Sequence, residues 1–175
     1  MFDQNLLHIA STYLKTTPIL DLVSCWWSIP SNEKGMNQAA QMYHHDMDRF
    51  KFLKFFFYIT DVHSENGPHC YVQGSHNGVP KNLQKEGRFT DEEISKTFPS
   101  SDILEICGKK GTIIAVDTRG LHKGKNLIKG SRLLFQIQFS NSLFGAPQIT
   151  TPISQFTNIA KKGISTYPYV YKLFK

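Results

Sequence analysis

The sequence predicts a mainly β fold with flanking helices, in the form of a sandwich or barrel of the jelly-roll, cupin-like kind. Three segments, 52–62, 111–124 and 131–145, contain runs of β-branched and aromatic residues of strand length. Turn-forming residues separate these runs, most clearly Asn66-Gly67-Pro68. The 175 residues contain no repeat, linker or low-complexity segment, so we expect one domain spanning residues 1–175.

Helical signals lie in two shorter segments. The motif TDEEISKTF predicts a helix with Thr90 or Asp91 as its N-cap, because the acidic residues that follow complement the helix dipole. Near the N-terminus, apolar residues at helical spacing fit one face of a helix: Leu6, Leu7, Ile9, Ala10 and Leu14.

Other segments give a less specific signal. Residues 19–27 fit either a second short helix or a strand, and residues 29–35 have the composition of a loop. Residues 70–76 are expected to form a short strand that ends at a glycine, and the chain after residue 145 is expected to be loop-rich.

Charge and cysteine content argue against the nucleic-acid-binding, secreted and membrane-spanning classes. The net charge of +6 comes from scattered lysines and arginines, which we interpret as solvated surface. Three widely spaced cysteines, Cys25, Cys70 and Cys107, favour a reducing, cytoplasmic compartment over a disulfide framework. No basic leader is present, and charged residues interrupt the apolar runs, so we expect neither a secretory signal nor a membrane span.

The spacing of three metal-capable side chains predicts a metal site. His44 and Asp46 are two positions apart, so on an extended backbone they point to the same side. His122 follows directly after a predicted strand. Two imidazoles and one carboxylate form the facial triad of non-haem Fe(II) oxygenases, which leaves the opposite face of the octahedron for a co-substrate and O2. Arg132, at the start of the next strand, fits a role in binding a distal carboxylate with its planar guanidinium.

Neighbouring residues compete for the same role. A set of His44, His45 and Asp48 is conceivable, but adjacent residues on a strand face opposite ways, so we expect His45 outside the ligand set or behind it. An HxD pair alone is a weak signal because it occurs by chance in many chains. Three further histidines are expected to stabilise turns or the rim of the site: His63, His69 and His76.

The strand that begins at Arg132 has two distinct faces. One face is apolar: Leu133, Phe135, Ile137 and Phe139. The other face is largely polar: Arg132, Leu134, Gln136 and Gln138. The polar face fits either a polar-lined interior or an exposed surface, and the sequence leaves both open.

Four stretches of the chain resemble the phytanoyl-CoA dioxygenase family of Fe(II)/2-oxoglutarate oxygenases. They are AQMYHHDMD, FYITDVHSENGPHCYVQGSH, GTIIAVDTRGLHKG and RLLFQIQF, and the resemblance extends from about Ala40 to Phe139. It implies a double-stranded β-helix, which is a jelly-roll core with helices packed outside. It also implies an enzyme that hydroxylates a C–H bond of a small-molecule or acyl-type substrate and releases succinate and CO2.

The same resemblance implies the cofactors and the residues that hold them. Fe(II) would be bound by His44, Asp46 and His122, 2-oxoglutarate would chelate the iron, and Arg132 would hold its far carboxylate. O2 is the second co-substrate, and ascorbate is expected to support turnover. Gln41, three residues before His44, and Tyr58 are candidate co-substrate contacts.

Departures from the family pattern bear on the activity. Only 43 residues precede His44, so the N-terminal part of the domain is expected to be shortened. Asp46 favours hydroxylation over halogenation, because halogenases of this superfamily carry a small residue in its place. Gln138 stands where nucleic-acid demethylases carry a second arginine, which argues against that class.

Two other functions compete with hydroxylation. The first is a non-catalytic jelly-roll binding protein with a vestigial metal site. The second is a zinc hydrolase that uses the same three ligands, although no obvious glutamate base accompanies them.

Overall fold

Strands make up most of the regular structure in the computed structural model, which describes residues 2–30, 41–85, 87–146 and 149–175. Within these residues there are three α-helices: α1 (Gln4–Leu14), α2 (Asp91–Thr97) and α3 (Asn158–Thr166). The strands are β1 (Ile19–Ser28), β2 (Phe52–Tyr58), β3 (His69–Val72), β4 (Ile103–Ile106), β5 (Ile113–Val116), β6 (His122–Gly124) and β7 (Arg132–Ser140). None of the described helices combines the length and the apolar character needed to span a bilayer.

The strands form two sheets. The larger has the strand order β1-β7-β2-β5, and the smaller has the order β4-β3-β6. In the smaller sheet β3 is antiparallel to both neighbours, and its Tyr71 pairs with Leu104 on one side and with His122 on the other. Because side chains alternate along a strand and paired residues share a face, His69, Tyr71 and His122 lie on one face of this sheet.

Contacts divide the chain into two compact units, Met1–Ser24 with Met47–Phe55 and Gln136–Lys175, and Cys25–Asp46 with Phe56–Phe135. Buried apolar residues of the first unit include Leu6, Leu7, Ala10, Leu14, Ile19 and Leu20. The second unit has one apolar cluster of Tyr43, Cys70, Val72, Leu83, Phe89, Ile94 and Leu121, and another of Tyr58, Val62 and Leu134. The expectation of one domain over residues 1–175 stays a prediction.

Local sequence explains where the first elements begin and end. Helix α1 starts after Asp3, whose carboxylate accepts hydrogen bonds from the backbone N–H groups of Asn5 and Leu6. Its buried residues are Leu6, Leu7, Ala10 and Leu14, whereas Ile9 is exposed. Residues 19–27, which fitted a helix or a strand, lie in β1. The predicted loop at 29–35 lies outside the described residues from Ser31 onwards.

The C-terminal part is the clearest departure from expectation. The chain after residue 145 was expected to be loop-rich, but residues Asn158–Thr166 form α3. Thr157 caps this helix by accepting a hydrogen bond from the Ala160 N–H. Only Ile164 of this helix is buried. The segment has few apolar residues and has Gly163, a poor helix former, in its interior, which is why its composition indicated a loop.

Helix α2 begins at a complete capping box, and this generates a stability prediction. The Thr90 hydroxyl accepts from the Glu93 N–H at 3.2 Å, and the Glu93 carboxylate accepts from the Thr90 N–H at 2.8 Å. We expect Thr90→Ala to lower the free energy of unfolding by about 1 kcal/mol in urea titrations followed by circular dichroism.

The matched control is Thr97→Ala on the same helix, where the hydroxyl only donates to the Glu93 carbonyl within the helix. We expect this change to stay within about 0.5 kcal/mol of the parent protein. Equal effects of the two substitutions would contradict the role given to the capping box.

Candidate metal centre

Three side chains with metal-binding atoms converge in the second compact unit. They are His44, Asp46 and His122, and one ligand atom from each lies within 4.8 Å of the others. The Nε2 atom of His44 is 3.6 Å from one carboxylate oxygen of Asp46, and the Nε2 atom of His122 is 3.4 Å from the other. At an octahedral ion with bonds of about 2.1 Å, neighbouring donor atoms lie about 3 Å apart. The set therefore fits one ion after small side-chain adjustments.

Backbone carbonyls hold both imidazoles in the tautomer that a metal needs. The Nδ1 atom of His44 lies 2.9 Å from the Met42 carbonyl, and the Nδ1 atom of His122 lies 2.9 Å from the Gly120 carbonyl. A carbonyl oxygen can only accept, so each Nδ1 carries the hydrogen and donates it. In the neutral form of each ring, Nε2 then carries the lone pair, which is the arrangement found in metal-ligating histidines.

Backbone pairing brings the two histidines together from distant parts of the chain. The His44 N–H donates to the His122 carbonyl at 2.9 Å, and the His122 N–H donates to the His44 carbonyl at 3.0 Å. Residues paired in this way have their side chains on the same face. The Asp46 N–H donates to the Thr118 carbonyl at 2.8 Å, which attaches Asp46 to the loop before His122.

Electrostatics at this cluster favour a cation. Burial and the nearby charge of His122 lower the pKa of His44 to about 4, even though Asp46 acts in the opposite direction. His44 is therefore neutral at neutral pH. Two imidazole lone pairs and one carboxylate then face a common point, and a bound cation stabilises such an arrangement of acceptors.

The loop before His122 lies so close to two side chains at position 120 that a Cβ atom there would collide with them. A Cβ atom on Gly120 would lie 2.2 Å from the Tyr71 hydroxyl and 2.8 Å from the Ser75 hydroxyl. The Tyr71 hydroxyl donates to the Asp117 carbonyl, and the Leu121 N–H donates to the Ser75 hydroxyl. These contacts fix the loop whose Gly120 carbonyl orients the His122 ring.

The competing residues lie outside the cluster. His45 has its Nδ1 atom 2.8 Å from the Arg119 carbonyl and its Nε2 atom 3.3 Å from the Leu83 carbonyl, so both nitrogens face backbone oxygens. Asp48 forms an ion pair with Lys54 at 3.0 Å. The set of His44, His45 and Asp48 is therefore not assembled.

Arg132 is buried on the polar face of β7. The face that the sequence left open between interior and surface is buried at all four positions: Arg132, Leu134, Gln136 and Gln138. Its Nη2 donates to the Ser28 hydroxyl at 3.2 Å, while its Nε has no hydrogen-bond partner in the described parts of the chain. Nor does any described carboxylate pair with this guanidinium.

The two remaining predicted contacts have different surroundings. Tyr58 is buried, and its hydroxyl donates to the Ile106 carbonyl at 2.6 Å. Burial raises the pKa of Tyr58, although the charge of Arg132 acts in the opposite direction. Gln41 is half-buried three residues before His44. A role for either residue in binding a co-substrate stays a prediction.

Two residues near the cluster were not found by sequence reasoning. The pairing of Tyr43 with Phe89 places Arg88 opposite His44, and the charge of Arg88 helps to lower the pKa of His44. His69 was expected to stabilise a turn or the rim of the site, and its ring stacks on that of His122, with ring centres 5.5 Å apart. Tyr71 pairs with His122, and residues two apart on a strand share a face, so His69 lies on the same side as His122.

The family of the chain follows from a comparison with known sequence families. The sequence model described as Phytanoyl-CoA dioxygenase (PhyH) matches residues 2–132. The chain belongs to the phytanoyl-CoA dioxygenase family. The matched region contains all three residues of the cluster and ends at Arg132. No curated protein matches the sequence at a significant level.

Solved structures with a similar fold confirm the predicted fold class. HygX from Streptomyces hygroscopicus, with nickel and 2-oxoglutarate bound, matches with a TM-score of 0.59 and 18% identity, covering 79% of this chain and 62% of HygX. AviO1 from Streptomyces viridochromogenes Tue57 matches with a TM-score of 0.55 and 18% identity, covering 79% of this chain and 58% of AviO1. The chain thus spans less than two thirds of the length of these proteins.

A third similar structure is EvdO2 from Micromonospora carbonacea var. aurantiaca. It matches with a TM-score of 0.57 and 18% identity, covering 78% of this chain and 58% of EvdO2. At this level of identity the likeness concerns the fold, which is mostly β with antiparallel sheets and matches cupin-like structures of the family.

The geometry of the cluster predicts its metal affinity. We expect Asp46→Ala and His122→Ala each to weaken the binding of Ni(II), or of Fe(II) under anaerobic conditions. Loss of a residue that only supports a ligand costs roughly 10- to 100-fold in metal affinity, and loss of a ligand itself should cost more. Isothermal titration calorimetry on the purified protein measures this directly.

Asp48→Ala is the matched control, because it removes a nearby carboxylate that pairs with Lys54. Its affinity for the metal should equal that of the parent protein. Undiminished binding in the Asp46→Ala protein, or a comparable loss in the Asp48→Ala protein, would rule out the assignment of the ligands.

Proposed function

We propose that the protein is an Fe(II)/2-oxoglutarate-dependent dioxygenase that hydroxylates a C–H bond of a small-molecule or acyl-type substrate, with succinate and CO2 as co-products. The observation that carries this proposal is the convergence of His44, Asp46 and His122, with both Nε2 atoms and the carboxylate directed at one point. Membership of the phytanoyl-CoA dioxygenase family supports it.

The donor set fits iron in an oxygenase better than a structural metal. Two imidazoles and one carboxylate would occupy three positions on one face of an octahedron and would leave the opposite face for exchangeable ligands. A structural zinc site would use four protein ligands, commonly with paired cysteines. When bound, Fe(II) supplies the activation of O2 and the oxidative decarboxylation of 2-oxoglutarate.

The surroundings of Arg132 support the binding of a dicarboxylate. A buried guanidinium without an anionic partner is unfavourable, because burial removes its hydration and nothing repays the loss. Burial accordingly lowers the pKa of Arg132. A carboxylate that reaches Nε and an Nη atom in the planar, bidentate manner would relieve this cost. The far carboxylate of 2-oxoglutarate is a planar anion that would supply this missing partner.

The chain itself supplies position and orientation. The Met42 and Gly120 carbonyls keep the lone pairs of the two imidazoles on the metal, and the backbone pairing of His44 with His122 fixes the separation of the rings. Arg132 orients the co-substrate by its distal end. Preorganised ligands of this kind lower the reorganisation that accompanies catalysis.

A non-catalytic binding protein with a vestigial site is the alternative. It would share the fold and the three metal-binding side chains with an oxygenase. Such a protein would bind metal and 2-oxoglutarate without turnover. Added zinc distinguishes a further alternative, because it should support the activity of a zinc hydrolase and inhibit that of an oxygenase.

Turnover of 2-oxoglutarate is the first test of the proposal. With Fe(II), ascorbate and O2, we expect the protein to release succinate from 2-oxoglutarate slowly even without a substrate, and faster when a metabolite mixture contains one. Succinate is measured by mass spectrometry. Asp46→Ala should reduce the rate to background, whereas Asp48→Ala should keep it. Metal and 2-oxoglutarate binding without succinate release would favour the binding protein.

Substitution of Arg132 tests the co-substrate contact. We expect Arg132→Gln to raise the KM for 2-oxoglutarate about 10- to 100-fold, which corresponds to the loss of a charged hydrogen-bonded pair, with a smaller effect on kcat. The KM of the Arg132→Lys protein should lie between those of the parent and of the Arg132→Gln protein, because lysine keeps the charge but cannot form a bidentate pair. An unchanged KM in the Arg132→Gln protein would remove Arg132 from the co-substrate site.

A further inference from the structure

Arg88 is a cationic side chain beside the candidate metal centre that the proposed function does not use. It immediately precedes Phe89, whose N–H donates to the Tyr43 carbonyl at 2.8 Å and whose carbonyl accepts from the Tyr43 N–H at 3.0 Å. In an antiparallel pair, the residues next to such a hydrogen-bonded pair also lie opposite each other. Arg88 is therefore opposite the candidate ligand His44, and the two side chains share a face.

Backbone pairing places the side chains of four neighbouring segments in one row. Tyr71 of β3 pairs with His122 of β6, His122 pairs with His44, and His44 lies opposite Arg88. Neighbouring strands are about 4.8 Å apart, so Arg88 is about one strand spacing from His44 and about two from His122. The two imidazoles of the metal centre thus lie between β3 and Arg88.

The other guanidinium of the site acts at the opposite end of this row. Beyond the effect of burial, the charge of Arg132 helps to lower the pKa of His69, the first residue of β3. The same charge reaches Tyr58, whose hydroxyl donates to Ile106 of β4, the strand beyond β3. A co-substrate that extends from the metal to Arg132 would therefore extend away from Arg88, which leaves Arg88 for a second ligand.

Arg88 has no anionic partner in the described part of the chain. Its side chain is exposed, and no hydrogen bond or ion pair joins it to another described residue. Two other arginines form ion pairs, Arg49 with Asp21 and Arg119 with Asp117. Arg88 is therefore a guanidinium whose position next to a metal centre is not explained by pairing within the protein.

The chemistry of a guanidinium selects the kind of group that it binds. Its planar donors match the oxygen atoms of a carboxylate or a phosphate in a bidentate pair. A neutral group gains less from this contact, and a cationic group is repelled. A ligand that approaches the metal from the side of Arg88 would consequently be favoured if it carried an oxyanion.

We propose that Arg88 binds an anionic group of the substrate, either a carboxylate or a phosphate, and so directs a C–H bond of that substrate to the metal. The inference rests on the proposed function, because it takes the space beside the metal to hold a substrate. It narrows the small-molecule or acyl-type substrate to one that carries an oxyanion.

Binding of probes with different head groups tests this without depending on turnover. Octanoate, octyl phosphate and octanol carry the same alkyl chain and differ in charge. In nickel-loaded protein with 2-oxoglutarate bound, we expect at least one of the two anions to bind about 10-fold or more tightly than octanol, as one charged hydrogen-bonded pair provides. Isothermal titration calorimetry measures the affinities, and the tighter of the two anions identifies the head group as carboxylate or phosphate.

Substitutions at two neighbouring cations assign the preference to Arg88. Arg88→Gln should remove it, and Arg88→Lys should retain part of it, because lysine keeps the charge but cannot form a bidentate pair. Lys85→Gln is the matched control and should keep the preference. Lys85 is exposed in the same segment, but its ammonium lies over the ring of Phe89, which packs with Tyr43 on the face away from His44.

Several results would overturn the inference. They are equal affinity for octanol and for both anions, no binding of either anion, and a preference that survives in the Arg88→Gln protein. An equal loss in the Lys85→Gln protein would also overturn it, because it would indicate a general effect of net charge. The proposed function fails separately: a protein that binds the anion through Arg88 but releases no succinate would be a binding protein and not an oxygenase.

A measurement on the unaltered chain guards against a folding defect in the variants. Phenylglyoxal modifies arginine side chains, and mass spectrometry of peptides gives the rate at each arginine. The anion that binds should slow modification of Arg88, whereas octanol should not. A rate at Arg88 that does not change while the anion binds would contradict the inference.

Discussion

The reciprocal pair of backbone hydrogen bonds between His44 and His122 is the constraint on which the site depends. These residues are far apart in the chain, and their pairing brings two imidazoles to one side. Each ring is then held by a carbonyl two residues earlier, that of Met42 or of Gly120. Because ring orientation is set by backbone atoms, it does not rely on flexible side chains, and the donor atoms remain directed at one point.

The interior next to this pair is polar in a way that an apolar core would not require. Arg132 has no carboxylate partner in the described parts of the chain, and neither its Nε nor the Nε2 of His69 has a hydrogen-bond partner there. Natural proteins rarely leave buried donors and acceptors unpaired. The unpaired Nε of Arg132 is the reason for proposing that a carboxylate binds there.

Much of the site was predictable because its residues occupy positions that strand geometry constrains. The two-residue spacing of His44 and Asp46 places both on one side of an extended segment, and a histidine after a strand together with Arg132 at the start of the next completes the pattern. The same geometry excluded His45, whose nitrogens face backbone carbonyls. The position of His69 beside His122 was not predictable, because it depends on which strand pairs with β6. Register between distant strands is not encoded in local sequence.

The elements of the fold that could be predicted are those that local sequence determines. Strands with long aromatic and β-branched runs, and a helix with a capping box, are specified by neighbouring residues. Helix α3 was not, because it is short, has few apolar residues and contains Gly163 in its interior. Tertiary contacts, rather than local periodicity, decide such a segment.

The position of the metal tests the central claim most directly. Crystals grown anaerobically with Fe(II) and 2-oxoglutarate, with data collected at the iron absorption edge, would give the site by anomalous scattering. The account predicts one strong peak bonded to Nε2 of His44, Nε2 of His122 and a carboxylate oxygen of Asp46, with 2-oxoglutarate on the opposite face reaching Arg132. A peak elsewhere, or a tetrahedral ion closed by a fourth protein ligand, would contradict it.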